Sequence, residues 1–268
     1  MEKAISVFGY SNDDRLSAAD FSSAEFAIRM LSGGFCLAVL SKDGEILALH
    51  QYSFLPNLSV EEKITAIETA RQPFHLKCEK TVFQLYTNVN TQIPEAFYAE
   101  NLNPAIADLL VNKSKDYVPV GEKIGNEPLY NLSLWNTALM KKIKSTFPNY
   151  ELKTVIGSLL EKVARREPQD EAIVFVEDMN FTIIARNAKG LLGCNCFAFD
   201  AEADFLYYCL YFLRKMYPHV DAVPLTLCGN ITAQSPLFTA VKKYVARVEL
   251  LEIPAATIAN YHYYCDII

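Results

Sequence analysis

Two stretches of the chain show the same order of apolar runs and turns. They span residues 25–54 and 171–199, and each contains three runs of mostly apolar residues, parts of which alternate with polar ones. Short apolar or alternating runs separated by turn residues are typical of β-strands joined as hairpins. Each stretch therefore predicts a β-meander of three antiparallel strands. The predicted turns are Ser32-Gly33-Gly34, Lys42-Asp43-Gly44, Met179-Asn180 and Ala188-Lys189-Gly190.

The second meander follows the first at a constant distance. Three pairs of corresponding residues are each 146 positions apart: Glu25 and Glu171, Phe35 and Phe181, and Gly44 and Gly190. After each meander the pattern predicts a helix and one more strand. These two strands end at Asn88 and Asn230, which are 142 positions apart. Similarity at a fixed spacing indicates an internal duplication, so we expect two structurally related halves.

Helical spacing predicts further elements. Ser59 and Glu62 form a capping-box pattern before an amphipathic helix. Residues 132–143 also show helical spacing. Residues 204–216 are apolar on all sides, and they are too few to cross a membrane. We therefore expect this last helix to lie at the centre of the molecule, between a sheet and a neighbouring domain.

The duplication predicts two domains. The first covers residues 1–147 and the second covers residues 148–268, with the boundary at Phe147-Pro148. Residues 89–125 are expected to form an irregular or short-helix insertion in the first domain, because proline interrupts regular structure. Its prolines are Pro94, Pro104 and Pro119.

Charge and composition exclude several functions. The chain has 25 Lys and Arg against 31 Asp and Glu, a net charge of −6, which is the wrong sign for binding nucleic acid or an anionic membrane. No apolar stretch approaches the roughly 20 residues that span a bilayer, and no basic segment with an apolar run opens the sequence. We expect a cytoplasmic protein that neither binds nucleic acid nor inserts into a membrane.

Cysteine and histidine do not form a recognisable metal motif. Seven Cys is an odd number in a chain long enough to bury a large core, so reduced thiols are expected. Cys194 and Cys196 would share one face of a strand, but no CxxC or HxxxH pattern accompanies them. The four His are scattered along the chain. We therefore expect no metal site.

A set of short motifs in the second half indicates a family. An N-x-F-x-F segment is followed by D-x-x-Y-Y and then by a strand that ends in Gly-Asn. The residues are Asn195, Phe197, Phe199, Asp204, Tyr207, Tyr208, Gly229 and Asn230. With the duplicated pattern, the chain resembles the actin-like ATPase superfamily and, within it, an uncharacterised Bacteroidetes family, a domain of unknown function. The resemblance implies an α/β protein with a duplicated ribonuclease-H-like fold. Each of its two lobes would hold a mixed five-stranded sheet and helices, and a nucleotide cleft would lie between the lobes.

The resemblance also implies where a nucleotide would bind. In active members, the first hairpin of each lobe presents glycines, whose backbone N–H groups approach phosphates, and an Asp that assists Mg²⁺. The first hairpin here keeps the glycines but has no carboxylate, whereas the second keeps Asp178 but has no glycine. A single glycine stands where active relatives often have a Gly-Gly pair. The candidate residues are Ser32, Gly33, Gly34, Asp178, Gly229 and Asn230.

Three functions remain open from the sequence. The first is a non-catalytic binding or scaffolding module with a degenerate fold, no cofactor and a protein partner. The second is a divergent ATPase or kinase that uses the six candidate residues to bind ATP and Mg²⁺ in the cleft. The third is a ribonuclease-H-type nuclease, which would need clustered acids such as Asp43, Glu45, Glu177 and Asp178. On the first hypothesis, Gly33-Gly34 is a tight turn that requires positive φ. Whether the chain is an enzyme stays open.

Overall fold

Both predicted β-meanders are present in the structure, a computed structural model. It describes residues 3–11, 16, 24–31, 33–42, 46–72, 80–111 and 114–251. The first meander comprises β2 (Glu25–Met30), β3 (Gly34–Leu40) and β4 (Ile46–Phe54). The second comprises β10 (Glu171–Glu177), β11 (Asn180–Asn187) and β12 (Gly190–Ala198).

The remaining strands and helices fall around the two meanders. The other strands are β1 (Ala4–Ser11), β5 (Lys80–Leu85), β6 (Asn90–Pro94), β7 (Tyr117–Lys123), β8 (Leu129–Asn136), β9 (Tyr150–Thr154), β13 (Leu225–Gly229) and β14 (Val248–Leu250). The helices are α1 (Val60–Arg71), α2 (Asn103–Leu110), α3 (Thr137–Thr146), α4 (Val155–Ala164), α5 (Glu202–Met216) and α6 (Pro236–Lys242).

The two large sheets have matching topology. Five strands of the first sheet are ordered β4-β3-β2-β5-β9, and the second sheet is ordered β12-β11-β10-β13-β14. In both, the meander is antiparallel and the next two strands run parallel to its first strand. The predicted duplication is therefore visible in strand order and direction.

The first sheet has one strand more than expected. β1 pairs with β4 at the sheet edge, where Ala4 lies opposite Phe54, so this sheet has six strands. A pairing between such distant segments leaves no local turn signal in the sequence.

β9 lies after the predicted boundary at Phe147-Pro148 and nevertheless completes the first sheet by pairing with β5. The chain passes to the second sheet through α4, directly after β9.

Three helices begin at side-chain caps. Ser59 accepts a hydrogen bond from the Glu62 backbone N–H at 3.2 Å, and the Glu62 carboxylate accepts one from the Ser59 N–H at 3.0 Å. The predicted capping box of α1 is thus present. Asn136 caps α3, and Thr154 caps α4. Each cap satisfies a backbone N–H that has no partner within the helix.

Helix α4 occupies the centre of the molecule. One apolar cluster contains Ile156, Leu159 and Leu160 of α4 together with residues of both sheets, such as Ala38 of β3 and Ile173 of β10. The opposite face of the first sheet packs with α1 and α3, and that of the second packs with α5 and α6. The layers therefore alternate as helix, sheet, helix, sheet and helix.

The prediction of a central position for the helix at residues 204–216 is wrong. These residues form α5, which covers the outer face of the second sheet and leaves Tyr207 61% exposed. The tyrosine rings cover one another, because Tyr207 stacks on Tyr211 with centroids 6.0 Å apart. A tyrosine combines an apolar ring with a polar hydroxyl, so a run of tyrosines does not require burial on all sides.

The segment 89–125 is more regular than predicted. It contains β6, α2 and β7, and with β8 it builds a three-stranded antiparallel sheet in the order β6-β8-β7. Pro119 lies within β7, an edge strand, where a residue without an N–H breaks no ladder bond on the open side.

The helix predicted over residues 132–143 begins later than expected. Leu132 and Leu134 belong to β8, and the helix begins at Thr137.

Among the residues that the structure describes, no helix is both long enough and apolar enough to cross a membrane.

Candidate functional site

The first hairpins of the two lobes face each other across the interface between the sheets. Gly33 lies in the turn between β2 and β3, and Asp178 lies in the turn between β10 and β11. The Asp178 Oδ2 atom is only 3.0 Å from the position that a Cβ atom on Gly33 would occupy. The two hairpin turns are thus in direct contact, and the carboxylate fills the space beside Gly33.

Asp178 is held in this position by its backbone and by Asn230. Its φ of 31° lies in the left-handed region, which Asp tolerates better than most residues. Asn230 Nδ2 donates a hydrogen bond to Asp178 Oδ1 at 3.3 Å, and the Asn230 backbone N–H donates to Val176 O at 2.7 Å. Gly33, Asp178 and Asn230 therefore converge. Ser32, also a candidate, lies outside the described residues.

Close backbone packing explains the two other candidate glycines. A Cβ atom on Gly34 would lie 2.1 Å from the Tyr52 carbonyl oxygen, and one on Gly229 would lie 2.2 Å from the Val176 oxygen. Gly229 also has a φ of 90°, which favours glycine. Gly34 does not have positive φ, so that prediction is wrong for Gly34. Gly34 is required instead because β4 approaches its Cα closely.

The hairpins offer limited chemistry. Met179, beside Asp178 in the second turn, is 49% exposed and carries a bulky side chain where a phosphate-binding turn would need glycine. Within the described part of the chain, no three His, Cys, Asp or Glu side chains are grouped so that they could hold a metal ion. Of the acids considered for a nuclease, Glu177 is fully buried, and Asp43 and Glu45 lie outside the described residues.

A buried polar group lies on the inner face of the first sheet. Arg29 is fully buried on β2, and its Nε and Nη2 atoms donate to Gln84 Oε1 at 3.1 and 3.0 Å. Gln84 Nε2 donates in turn to Ser158 Oγ of α4 at 3.4 Å. These bonds tie α4 to the first sheet. Sequence reasoning missed them, although an arginine inside the apolar run of β2 was a signal.

Glu122 of the inserted sheet reaches the beginning of α4. Its Oε2 atom accepts hydrogen bonds from Thr154 Oγ1 at 2.5 Å and from the Thr154 N–H at 3.2 Å. Burial raises the pKa of Glu122, and the two bonds from Thr154 oppose that rise. Thr154 Oγ1 accepts in turn from the Gly157 N–H at 2.7 Å, and a Cβ atom on Gly157 would overlap the Glu122 carboxylate. The N-terminus of α4 is thereby closed by this chain's own carboxylate.

Further polar side chains connect the inserted sheet to the second lobe. Asn131 Nδ2 donates to Thr154 Oγ1 at 3.2 Å, and Gln92 Nε2 donates to both Asn131 Oδ1 at 3.1 Å and Asn90 Oδ1 at 2.9 Å. Asn90 Nδ2 then donates to Cys196 Sγ of β12 at 3.2 Å. The insertion therefore links α4 to the second sheet by hydrogen bonds.

The cysteines near this interface are thiols. Burial raises the pKa of Cys194 and Cys196, and hydrogen bonds from Thr182 and Asn90 partly oppose this effect at Cys196. The thiolate is the reactive form of cysteine, so neither residue is an activated nucleophile. The cysteines within the described residues, Cys36, Cys194, Cys196, Cys209 and Cys228, form no disulfide.

Two matching mixed sheets, facing hairpins and a helix between them define the class of protein, which is one with the actin-like ATPase fold. The family model described as "protein of unknown function (DUF3822)" matches residues 13–248, so the chain belongs to that family. The predicted fold and the predicted membership of a family of unknown function are confirmed. A search of curated proteins gives no match.

Two solved structures illustrate the similarity. A Bacteroides thetaiotaomicron protein, described as having an actin-like ATPase fold and unknown function, is 14% identical and has a TM-score of 0.80. The match covers 93% of this chain and 98% of that one. A structure of the PilM–PilN type IV pilus biogenesis complex is 8% identical with a TM-score of 0.59, covering 91% and 96%. At such identities the likeness shows the fold alone.

Proposed function

We propose that this chain is a cytoplasmic, non-catalytic binding or scaffolding module that keeps the actin-like fold without nucleotide chemistry. The observation that carries the proposal is the contact between the two hairpins. Asp178 Oδ2 lies 3.0 Å from where a Cβ of Gly33 would be, so the space between these turns is filled by protein.

The charge at the contact adds support. A phosphate placed beside Gly33 would meet the Asp178 carboxylate, and like charges at short range repel unless a cation lies between them. The second hairpin supplies no glycine, and its exposed Met179 would obstruct approach to the backbone N–H groups. The first hairpin therefore lacks the carboxylate of a magnesium–phosphate site, and the second lacks the glycines.

The binding role draws support from an apolar surface on the insertion. Leu102, the residue before α2, and Ile106 and Leu109 lie at i, i+4 and i+7 and share one side of the helix, where Ile106 is half-buried, whereas Ala107 is fully buried. Leu102 is 47% exposed and Leu109 is 86% exposed. Exposed apolar groups on one side of a helix are typical of protein-docking surfaces. The PilM–PilN structure is itself a complex of two proteins, and we propose a protein partner here as well.

Nucleotide binding is the most direct test of the non-catalytic role. We expect that millimolar Mg-ATP or Mg-ADP leaves the thermal unfolding midpoint of the wild-type protein unchanged and releases no saturable heat in calorimetry. A ligand at 100 times its dissociation constant would stabilise the folded state by about 2.7 kcal/mol, which such a measurement would detect.

Two variants make this test specific. Asp178→Ala removes the only carboxylate of the facing turns, and Met179→Ala changes its exposed neighbour and serves as the control. A magnesium-dependent stabilisation of the wild type that survives in Met179→Ala and is lost in Asp178→Ala would contradict the proposal. It would instead establish the nucleotide site.

A divergent ATPase or kinase is the alternative function. Its supporting observation is the convergence of Gly33, Asp178 and Asn230, three of its candidate residues. On that proposal, Asp178 would assist Mg²⁺ and the first hairpin would bind phosphate after the two turns separate. Gly229 would approach the adenosine. Nucleotide-dependent stabilisation, as described above, distinguishes this function from the first.

A further inference from the structure

A cavity of about 200 Å³ lies at the junction of three parts of the chain. The segment between β7 and β8 forms one wall, the C-terminal end of α4 forms another, and the turn between β11 and β12 forms the third. This turn is at the opposite end of β11 from Asp178. The eight residues of β11 separate the two places by roughly 25 Å. The cavity is therefore distinct from the candidate nucleotide site.

The inner surface of the cavity is apolar. Ile124, Leu160 and Val163 line it and are themselves almost completely buried, and Leu129 and Leu191 complete the apolar lining. A concave apolar surface with a few polar groups at its edge is the usual form of a small-molecule site. The volume is below the 300–1,000 Å³ of typical drug-sized sites, so only a compact apolar group would fit.

The polar residues of the lining are mainly basic. Arg166, Arg186 and Lys189 line the cavity, and Glu127 is the only acidic residue of the described lining. Arg186 is held within the protein, since its guanidinium forms an ion pair with Glu171 and its Nη atoms donate to backbone oxygens at and just after the end of α4, including that of Arg166 at 3.0 Å.

Arg166 and Lys189 are the cations that an anion would meet. Arg166 Nη2 is 3.1 Å from Glu171 Oε2, and Arg186 Nε is 2.9 Å from Glu171 Oε1, so two guanidinium groups share one carboxylate. The two arginines and Glu171 together carry one net positive charge. Lys189 lies in the exposed turn, and within the described part of the chain its ammonium group makes no ion pair. Arg166, Arg186 and Lys189 carry three positive charges against the two negative charges of Glu127 and Glu171, so the rim keeps a net positive charge. It therefore favours a negative charge next to an apolar body.

We propose that this cavity binds a compact apolar monocarboxylate, with the apolar body against Leu160 and Val163 and the carboxylate beside Lys189 and Arg166. The proposal is independent of the function proposed above, because it uses none of the hairpin residues. It assigns the junction of the insertion, α4 and the second sheet as a ligand site.

The test uses three probes, hexanoate, hexanol and hexylammonium. They have apolar chains of the same length, and their charges are negative, neutral and positive, respectively. Chemical-shift titration of the full-length protein should give saturable binding of hexanoate with a dissociation constant on the order of 1 mM, as is typical for so small a ligand. Hexylammonium should bind at least tenfold more weakly, because the rim is positive. The affinity for hexanol should lie between those for hexanoate and hexylammonium.

Matched variants locate the binding. Lys189→Glu should weaken hexanoate binding by about tenfold, because it reverses a rim charge. Lys243→Glu makes the same change at an exposed position at the C-terminal end of α6 and should have no effect. Ala164→Phe should fill the cavity and abolish binding. Ala203→Phe on the exposed side of α5 is its control.

Several results would overturn the proposal. They are the absence of saturable hexanoate binding at 10 mM (on the order of ten times the expected constant), equal affinity for hexylammonium, or unchanged affinity for hexanoate in Lys189→Glu. Because Lys189 lies on an exposed turn, its substitution leaves the core intact. A folding defect in Ala164→Phe would therefore not prevent a decision.

Discussion

The identity of Gly34 is determined by the β4 backbone. A Cβ atom at this position would lie 2.1 Å from the Tyr52 carbonyl oxygen, and a backbone group in a paired strand has little freedom to move away. At Gly33, by contrast, the one atom of the described residues that lies within 4 Å of such a Cβ is Asp178 Oδ2 at 3.0 Å, the end of a rotatable side chain. The two glycines therefore have different physical roles, although they are adjacent.

This difference gives a prediction for two alanine substitutions. Gly34→Ala should lower the free energy of unfolding by about 1–3 kcal/mol, because it forces β3 and β4 apart. Gly33→Ala should change it by no more than about 0.5 kcal/mol, because Asp178 can rotate. Thermal unfolding followed by circular dichroism measures both. Equal destabilisation by the two substitutions would show that the contact with Tyr52 is not the cause.

Sequence reasoning named most of the residues at the hairpins but not all of their roles. It identified Asp178, Gly229 and Asn230, and the structure brings Asp178 and Asn230 into hydrogen-bond contact. It assigned Gly34 to a turn with positive φ, because the close approach of a strand is not visible in the sequence. Glu122 and Arg29 were missed, since their partners lie 32 and 55 positions away.

At the scale of elements, α2 carries the surface that the proposed binding function requires. Its buried side packs through Ala107, while Leu102 and Leu109 extend into solvent and Ile106, on the same side, is half-buried. Phe97, in a short 3-10 helix that precedes α2, is 74% exposed. Leaving such groups in water forgoes the free energy of burying them, about 25 cal/mol per Å² of apolar surface. A partner that covers α2 would recover that energy.

A photo-crosslinking residue at position 109 tests this surface. In cells of the native host, we expect the variant at Leu109 to trap one defined protein, because Leu109 is 86% exposed on the proposed docking surface. The same residue at Tyr244, which is exposed on the second lobe, should not trap it. The products are identified by mass spectrometry.

A second substitution provides the control for specificity. Leu102→Glu places a charge on the same side of α2 and should remove the adduct at position 109 without changing the thermal unfolding midpoint, since Leu102 is half exposed. An adduct that persists in Leu102→Glu, or that forms equally at position 244, would show that α2 is not the docking surface.

The elements that sequence reasoning predicted correctly are those with local signals. Both meanders, the cap of α1 and the strands before Asn88 and Asn230 combine apolar runs with turn or cap residues close in sequence. β1 was missed and the inserted sheet was expected to be irregular. β1 pairs with a strand about 40 residues away, and the outer strands of the inserted sheet are bordered or interrupted by Pro94 and Pro119.

At the scale of the whole molecule, the constant spacing between the two repeats predicted the duplication. It did not predict which helix lies at the centre of the molecule. Two equivalent sheets follow from repeated patterns at a distance of 146 positions. The central position of α4 depends on which faces of the two sheets meet. The apolar content of the helices did not predict that position. α5 is rich in apolar and aromatic residues and lies outside, whereas α4 is the helix with Ile156 and Leu160 packed against both sheets.

The architecture places α4, the inserted sheet and the second lobe in one connected unit. Glu122 closes the N-terminus of α4, and side chains of the insertion continue the hydrogen bonds to Cys196 of the second sheet. Separating the two hairpins to admit a nucleotide would strain these bonds, and buried polar groups left without partners are costly. On the proposed function, these bonds help to keep the two lobes, and with them the hairpins, in contact.

The most direct test of this account is a crystal structure determined with Mg²⁺ and a non-hydrolysable ATP analogue, both at millimolar concentration. The account predicts that Gly33 and Asp178 remain in contact and that no analogue lies between the hairpins. A structure with the analogue's phosphates between the two turns and Asp178 next to the magnesium ion would contradict it.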